Sequence, residues 1–336
     1  MLDVTLAAWA ATIGLIVALL ALDFLVSGRR PHAVEFREAA LWSVFYIAVA
    51  LAFGVVFGTI AGWDFGAEYF AGYVVEKSLS VDNLFVFVII MTTFAVPAEH
   101  QQKVLTFGIV LALILRAIFI ALGAVLLASF SFMFAIFGLL LIFTAVQLFR
   151  HRDEDPSVED NAIVSFARRR LAFSADYDGG RLVTRVDGKR LFTPLMLVLV
   201  AIGTTDILFA LDSIPAVYGV TEEPYIVFAA NAFALLGLRA LFFLVSGLLD
   251  RLVFLSTGLA LILFFIGFKL ILHYAHLQED SIPEISTGFS LGVIMVILLV
   301  TTVLSLLKSR QDPEARAHAG SLRHHPKDAG DRRDRV

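Results

Sequence analysis

The chain has 336 residues, of which 59% are hydrophobic and only 17% charged, with a formal net charge of −4 and no cysteine. Soluble globular chains hold about 45–50% apolar and about 25% charged residues, so a mean hydropathy of +0.86 asks for a lipid solvent. A pI near 6.1 excludes the basic surface of a nucleic-acid binder, and the missing cysteines exclude disulfides, thiolate metal sites and thiol nucleophiles.

A helix that crosses a bilayer needs about 20 apolar residues. Nine segments meet that need, at 4–27, 39–61, 69–94, 103–128, 131–150, 192–218, 224–248, 252–275 and 285–307. The first reads as a retained span rather than a leader: Asp3 stands where a basic residue is usual, and no small-residue cleavage site follows. Alternate connections (28–38, 95–103, 149–191, 249–251 and everything from 308) hold 22 of the 26 Lys and Arg, and the opposite set holds none. Basic loops stay in the cytoplasm. The expected architecture is therefore an all-α polytopic membrane protein with about nine transmembrane helices, N-terminus outside and C-terminus cytoplasmic.

The long connection 149–191 opens on an acidic cluster and then Arg168, Arg169 and Arg170. Turn dipeptides at Asp178-Gly179 and Asp187-Gly188 flank a short β-prone run from Leu182 to Val186. A small hairpin is one reading, and a solvated connector the preferred one. The polar stretch 309–336 reads as a disordered cytoplasmic tail behind a transmembrane domain of 1–308.

Ionisable groups inside a span cost roughly 2.5–3.5 kcal/mol each on insertion scales and usually face a bundle interior or a water path. The third segment holds Glu76, Lys77, Ser78, Ser80, Asp82 and Asn83; the sixth holds Thr204, Thr205, Asp206, Asp212, Ser213 and Pro215. Glu76 to Asp82 and Asp206 to Asp212 have the same spacing of six, each second acid is followed by Asn83 or Ser213, and each motif precedes an arginine-bearing segment with Arg116 or Arg239. Segments 3–5 and 6–8 thus read as two copies of one unit, running in opposite directions through the membrane. Inverted repeats around midplane polar sites mark secondary transporters.

Positions six apart on a straight helix point about 240° apart. Each acidic pair converges only if its helix breaks, with Gly203 and Pro215 as the means; otherwise each pair gives one carboxylate to a central site and one elsewhere. The available ligands are oxygens, which suit Mn²⁺, Mg²⁺ and Ca²⁺. Carboxylates buried together also hold protons more tightly, so exchange of cation for protons is expected. On this reading the four acids Glu76, Asp82, Asp206 and Asp212 meet the ion, Asn83 and Ser213 stand among the oxygens beside them, and Arg116, Arg239, Lys269, Asn231, Ser80 and Thr205 balance charge or support the shell. Lys77 either snorkels or pairs, and the arginines serve equally well as structural ion-pair partners.

The stretches 76–83 (Glu-Lys-Ser-Leu-Ser-Val-Asp-Asn), 206–215 (Asp-Ile-Leu-Phe-Ala-Leu-Asp-Ser-Ile-Pro) and 231–243 resemble the TerC family of bacterial membrane proteins, and 185–195 resembles its Alx branch. The resemblance covers roughly 1–308. It implies a bacterial inner-membrane protein of a family named for tellurium resistance, whose Alx-like members are associated with manganese export and alkaline conditions, within a superfamily of exporters built from inverted three-helix repeats. The expected function is secondary export of Mn²⁺ or a similar divalent cation, with no permanently bound cofactor. No nucleotide-binding or hydrolase motif is present, so neither ATP drive nor an enzyme is expected. The alternative is a non-transporting scaffold in metal or tellurite stress or membrane-protein insertion. In that case loop 149–191 docks a membrane partner or a second copy.

Overall fold

The structure, a computed structural model, describes residues 2, 4–28, 36–150, 164, 166, 170, 172–174, 177–186, 189–245, 253–279 and 281–311. Over these residues the apolar blocks form α1 (Leu6–Gly28), α2 (Phe36–Ala61), α3 (Trp63–Thr93), α4 (Ala98–Ser129), α5 (Met133–Arg150), α6 (Pro194–Tyr218), α7 (Pro224–Leu235), α8 (Leu238–Val245), α9 (Leu255–Gln278) and α10 (Thr287–Gln311). Helix is the form a spanning segment takes because it satisfies its own backbone N–H and C=O groups. Pro194 and Pro224 sit in the first turns of α6 and α7, where no intrahelical N–H bond is lost.

Among the described residues seven helices, α1, α2, α4, α5, α6, α9 and α10, are long and apolar enough to cross a membrane. Helix α3 has 31 residues, about 46 Å of length, and is set apart by its charges. Counting α3 and the α7–α8 pair with the seven returns the segments read from the sequence. Large side chains such as Leu6, Ile60 and Leu299 face outward, as lipid contact requires.

One expected span is not a single helix. The segment 224–248 breaks at Leu236 and Gly237 into α7 and α8. Gly237 has φ +77°, and a Cβ there would lie 2.7 Å from the Cβ of Tyr46 on α2. Only glycine allows both the left-handed backbone and that approach. The break lets α7 pack on α3 while α8 turns to pack on α2.

Packing in the centre is reciprocal: α3 lies along α7, α4 along α6, α3 also meets α6, and α5 crosses α9 most extensively of all. At that last crossing Gly138 and Gly267 face each other. A Cβ on either would sit 2.7 Å from the other's carbonyl oxygen, and Ile142 and Ile271, each four residues on, flank the contact from the two sides. Small residues are what allow helices to approach this closely in a membrane. A second, aromatic cluster (Tyr46, Tyr69, Tyr73, Tyr225 and Phe233 at its heart) joins α1 and α2 to α3 and α7.

The connector reading of the long loop gives way to a hairpin where its strands are described. Strands β1 (Val183–Val186) and β2 (Lys189–Phe192) pair antiparallel, Val183 opposite Phe192. The stretch is pinned to the bundle: Lys103 Nζ donates to the carbonyl of Gly180 at 2.6 Å, and the Tyr177 hydroxyl to that of Phe94 at 2.7 Å. The acidic cluster at 153–160 and the tail from 312 lie outside the described residues, and α10 carries the helix to Gln311, into the stretch read as tail.

Candidate functional site

Helices α3, α4, α6 and α7 each bring a polar side chain to one place near their middles. Arg116 of α4 is the hub, 1% exposed, with Glu76 (α3) at 0% and Asp206 (α6) at 2%. Its Nη1 donates to Glu76 Oε1, to Asn231 Oδ1 of α7 at 3.2 Å and to Ser213 Oγ at 3.3 Å. Its Nη2 donates to Asp206 Oδ1 at 3.4 Å. With the Asn83 amide turned so that both ends are satisfied, Asn83 Oδ1 accepts from Nη2 at 3.1 Å.

Glu76 is held further by Asn231 Nδ2, which donates to Oε2 at 3.0 Å, and by Ser80 Oγ, which donates to Oε1 at 3.3 Å. Two buried carboxylates against one guanidinium leave a formal charge of −1. The remaining oxygen of the pair, Asp206 Oδ2, is buried without a hydrogen-bond partner, as is Arg116 Nε. A buried carboxylate oxygen without a donor carries an uncompensated desolvation cost, so this position favours a cation.

The α6 pair does not converge. Helix α6 runs unbroken through its motif, Pro215 included, so six residues turn Asp212 away from Asp206. Asp212 lies on another face of α6, where its Oδ1 accepts from Thr144 Oγ1 of α5 at 2.8 Å. The backbone of Asp82 belongs to α3, and its side chain lies outside the described residues. Among the described residues no three acidic or imidazole groups form a ready metal cage. On α6 the arrangement is the second of the two left open by the spacing: Asp206 at the centre and Asp212 elsewhere.

Three of the supporting residues are placed differently from expectation. Arg239 is not at this centre. Cutting the span at Gly237 carries it to α1, where Nη2 donates to Asp23 Oδ1 at 2.7 Å while the Tyr46 hydroxyl donates to the same oxygen at 3.1 Å. Thr205 Oγ1 donates to the carbonyl of Ala201 on its own helix at 2.7 Å. Lys269 faces neither Asp206 nor Asp212; its charged neighbours are Glu284, Glu68 and Glu222. Lys77 Nζ donates to the carbonyl of Ala234 at 3.0 Å, a favourable place for an ammonium because the C-terminal carbonyls of α7 are freed by the break.

Lys269 lines a cavity of about 520 Å³ at one end of the bundle, together with Glu68, Glu222, Glu284, His273 and Tyr218. His273 Nε2 lies 3.0 Å from Glu222 Oε1 and its Nδ1 2.7 Å from Glu284 Oε1. Two ionised carboxylates both need an N–H, so the imidazolium form fits this geometry. The hydrogen bond from His273 holds the Glu222 carboxyl below its usual range. Glu222 therefore stabilises the fold above the ordinary carboxylate range, about pH 4.3, and that contribution is lost as pH falls through the lowered value. Wild type and Glu222→Gln are expected to melt alike below about pH 3 and to diverge at pH 5–6, with wild type higher. A pH-independent difference counts against this. Glu222 is 59% exposed, so the effect is small.

A bundle of apolar helices closed around a buried Glu–Arg–Asp cluster defines a polytopic integral membrane protein with a charged interior. Residues 61–313 match the family described as "Integral membrane protein TerC family". The chain belongs to the TerC family. It is 45% identical over 328 residues to an uncharacterized membrane protein of Mycobacterium tuberculosis, covering 92% of this chain and 82% of that one. A Myxococcus xanthus membrane protein, also uncharacterized, is 42% identical over 316 residues, 93% and 95% of the two chains. A protein of Escherichia coli named as a membrane-bound redox modulator, Alx, is 36% identical over 307 residues, 88% of this chain and 93% of that one. No solved structure matches.

Proposed function

We propose that this chain is a secondary transporter that exports Mn²⁺, or a closely similar divalent cation, from the cytoplasm of a bacterium across its inner membrane. The observation that carries the reading is the buried meeting of Glu76 and Asp206, with Asp206 Oδ2 open. Charged groups held deep in a bundle at such cost are functional by default. The surrounding oxygens of Asn83, Asn231, Ser213 and Ser80 complete a hard ligand set of the kind that Mn²⁺ and Mg²⁺ accept. Asp212, on its own face of α6, is a second station on the path or a gate.

The reciprocal packing of α3–α5 against α6–α9 supports two inverted units, and the concentration of Lys and Arg on alternate loops supports a cytoplasmic C-terminus and an outside N-terminus. Proton exchange or the membrane potential supplies the drive. The name of the Escherichia coli relative points to redox balance. With no cysteine here, a redox effect of this chain runs through the metal it moves rather than through a thiol.

The test is expression in a bacterium stripped of its own manganese exporters, with cellular Mn and growth under Mn²⁺ stress as readouts. Wild type is expected to lower cellular Mn. Glu76→Gln and Asp206→Asn, present at equal levels in the membrane, are expected to leave Mn at the vector level. If Mn, Mg, Ca and Zn contents all stay flat with wild type, the transporter reading fails and a scaffold acting through loop 149–191 takes its place.

A further inference from the structure

We infer that Arg116 is a resident cation occupying the place of the transported ion, so that loading the site is an exchange of a guanidinium for a divalent ion. This rests on Glu76 and Asp206 being the ion's carboxylates, and it names what sets the valence that the site accepts.

The guanidinium already touches the oxygens an ion needs. Glu76 Oε1, Asp206 Oδ1, Asn231 Oδ1 and Ser213 Oγ all accept from its two terminal nitrogens, and Asn83 Oδ1 joins them in the satisfied amide orientation. A cation and the guanidinium cannot share this space. Like charges a few ångströms apart repel strongly where water is excluded, and Arg116 stays protonated in a protein. One of the two must leave.

The charges then decide which cations can displace it. With Arg116 in place the site carries −1. A divalent ion that replaces the guanidinium brings two carboxylates to neutrality, the state a low-dielectric interior favours. A monovalent ion that replaces it leaves −1 again and gains nothing over the arginine, while forfeiting its charge-assisted hydrogen bonds to Glu76 and Asp206. The arginine is thus a threshold that Na⁺ and K⁺ fail to cross.

Two unpaired atoms give the exchange a path. Asp206 Oδ2 has no donor, so an arriving ion has one free oxygen to meet first, and it takes that oxygen as Nη2 gives up Oδ1 of the same carboxylate. Arg116 Nε has no acceptor, so the guanidinium is held only at its tip and withdraws along its own flexible stem.

The test uses the full-length protein in detergent, with Mn²⁺ binding followed by loss of its free electron paramagnetic resonance signal and with thermal melting in Mn²⁺ or Na⁺. Arg116→Gln leaves two buried carboxylates without a counter-charge. It is expected to melt below wild type without added cation and to recover with Mn²⁺. It should bind Mn²⁺ on the order of tenfold or more tighter than wild type and gain a stabilisation by Na⁺ that wild type lacks. Glu76→Gln with Arg116→Gln is expected to regain much of the cation-free stability and to lose Mn²⁺ binding. Folded Arg116→Gln with unchanged or weaker Mn²⁺ affinity overturns the inference and leaves Arg116 a structural ion-pair partner. Failure of Arg116→Gln to fold even in excess Mn²⁺ also overturns it, because the ion should replace what the guanidinium supplied. If wild type and variant both bind no Mn²⁺, Mg²⁺ or Ca²⁺, the carboxylate site itself is wrong, and the transport reading falls with it.

Discussion

Valine in place of Gly267 is expected to abolish the melting transition of the wild-type protein at its normal temperature. The atoms it would strike on the facing helix include backbone: Gly138 O at 2.7 Å from the new Cβ and Ile142 N at 3.1 Å, with the Ile142 side chain between them at 3.0 Å. The backbone atoms cannot swing aside, so α5 and α9 must separate along their length and give up the most extensive helix contact among the described residues. Overpacking in cores typically costs about 1–3 kcal/mol; an obstacle made of backbone puts this site at the top of that range or beyond. Gly138→Val meets the same obstacle from the other side. Gly14→Val and Gly292→Val, where a Cβ meets nothing within 4 Å, serve as controls and are expected to melt like wild type. Thermal melting and gel filtration in detergent decide the matter. A Gly267→Val protein as stable as wild type would mean that this crossing is not as tight as described.

The second large effect is expected at Asp23 and Arg239. This pair ties α1 to α8 through a 2.7 Å bond, with side chains only 12% and 8% exposed, and Tyr46 of α2 donates to the same carboxylate. Breaking a buried pair on one side leaves a charge stranded, at roughly 3–5 kcal/mol. Removing both charges with packing kept is far milder. Arg239→Met is therefore expected to lower stability strongly, and Asp23→Asn with Arg239→Met to recover most of the loss. On the transport proposed above, export per folded molecule is expected to stay near wild type in the double variant, since neither residue reaches the central cluster. If the double variant is as unstable as the two single effects added together, or if it loses export while folded, the pair is not a structural tie.

The nine apolar blocks are visible in the sequence because the requirement for about 20 apolar residues per crossing leaves long, countable runs. Helix ends fall close to the expected positions for the same reason, with Pro194 and Pro224 marking two starts. The break at Gly237 is hidden: Leu-Leu-Gly-Leu-Arg reads as continuous helix, and only the partner across the break, Tyr46, reveals why glycine is needed. That break explains the one clear asymmetry. Arg116 and Arg239 look equivalent in sequence, yet the second follows a turned half-helix and finds Asp23 on α1.

The central site was legible as a set of residue types and in part as a geometry, since the six-residue spacing already allowed one acid of each pair to point elsewhere. Thr144 was not legible, because a lone threonine in an apolar span has no pattern. The close contact of Gly138 and Gly267 left a signal that acid spacing alone does not use. The two glycines lie 129 residues apart, nearly the 130 that separate Glu76 from Asp206, each with Ile four residues later.

The tie between Lys77 and the carbonyl of Ala234 adds a second fastening between two helices far apart in the chain. Lys77 and Glu76, neighbours on α3, are both fastened to α7, the one through Ala234 and the other through Asn231. Helices α3 and α7 thus form one tied pair, while α4 packs more heavily on α6 than on α7. Arg116, rooted in α4 and reaching Glu76 and Asn231, joins the two pairs. On the exchange proposed above, an ion that displaces Arg116 would also undo this join.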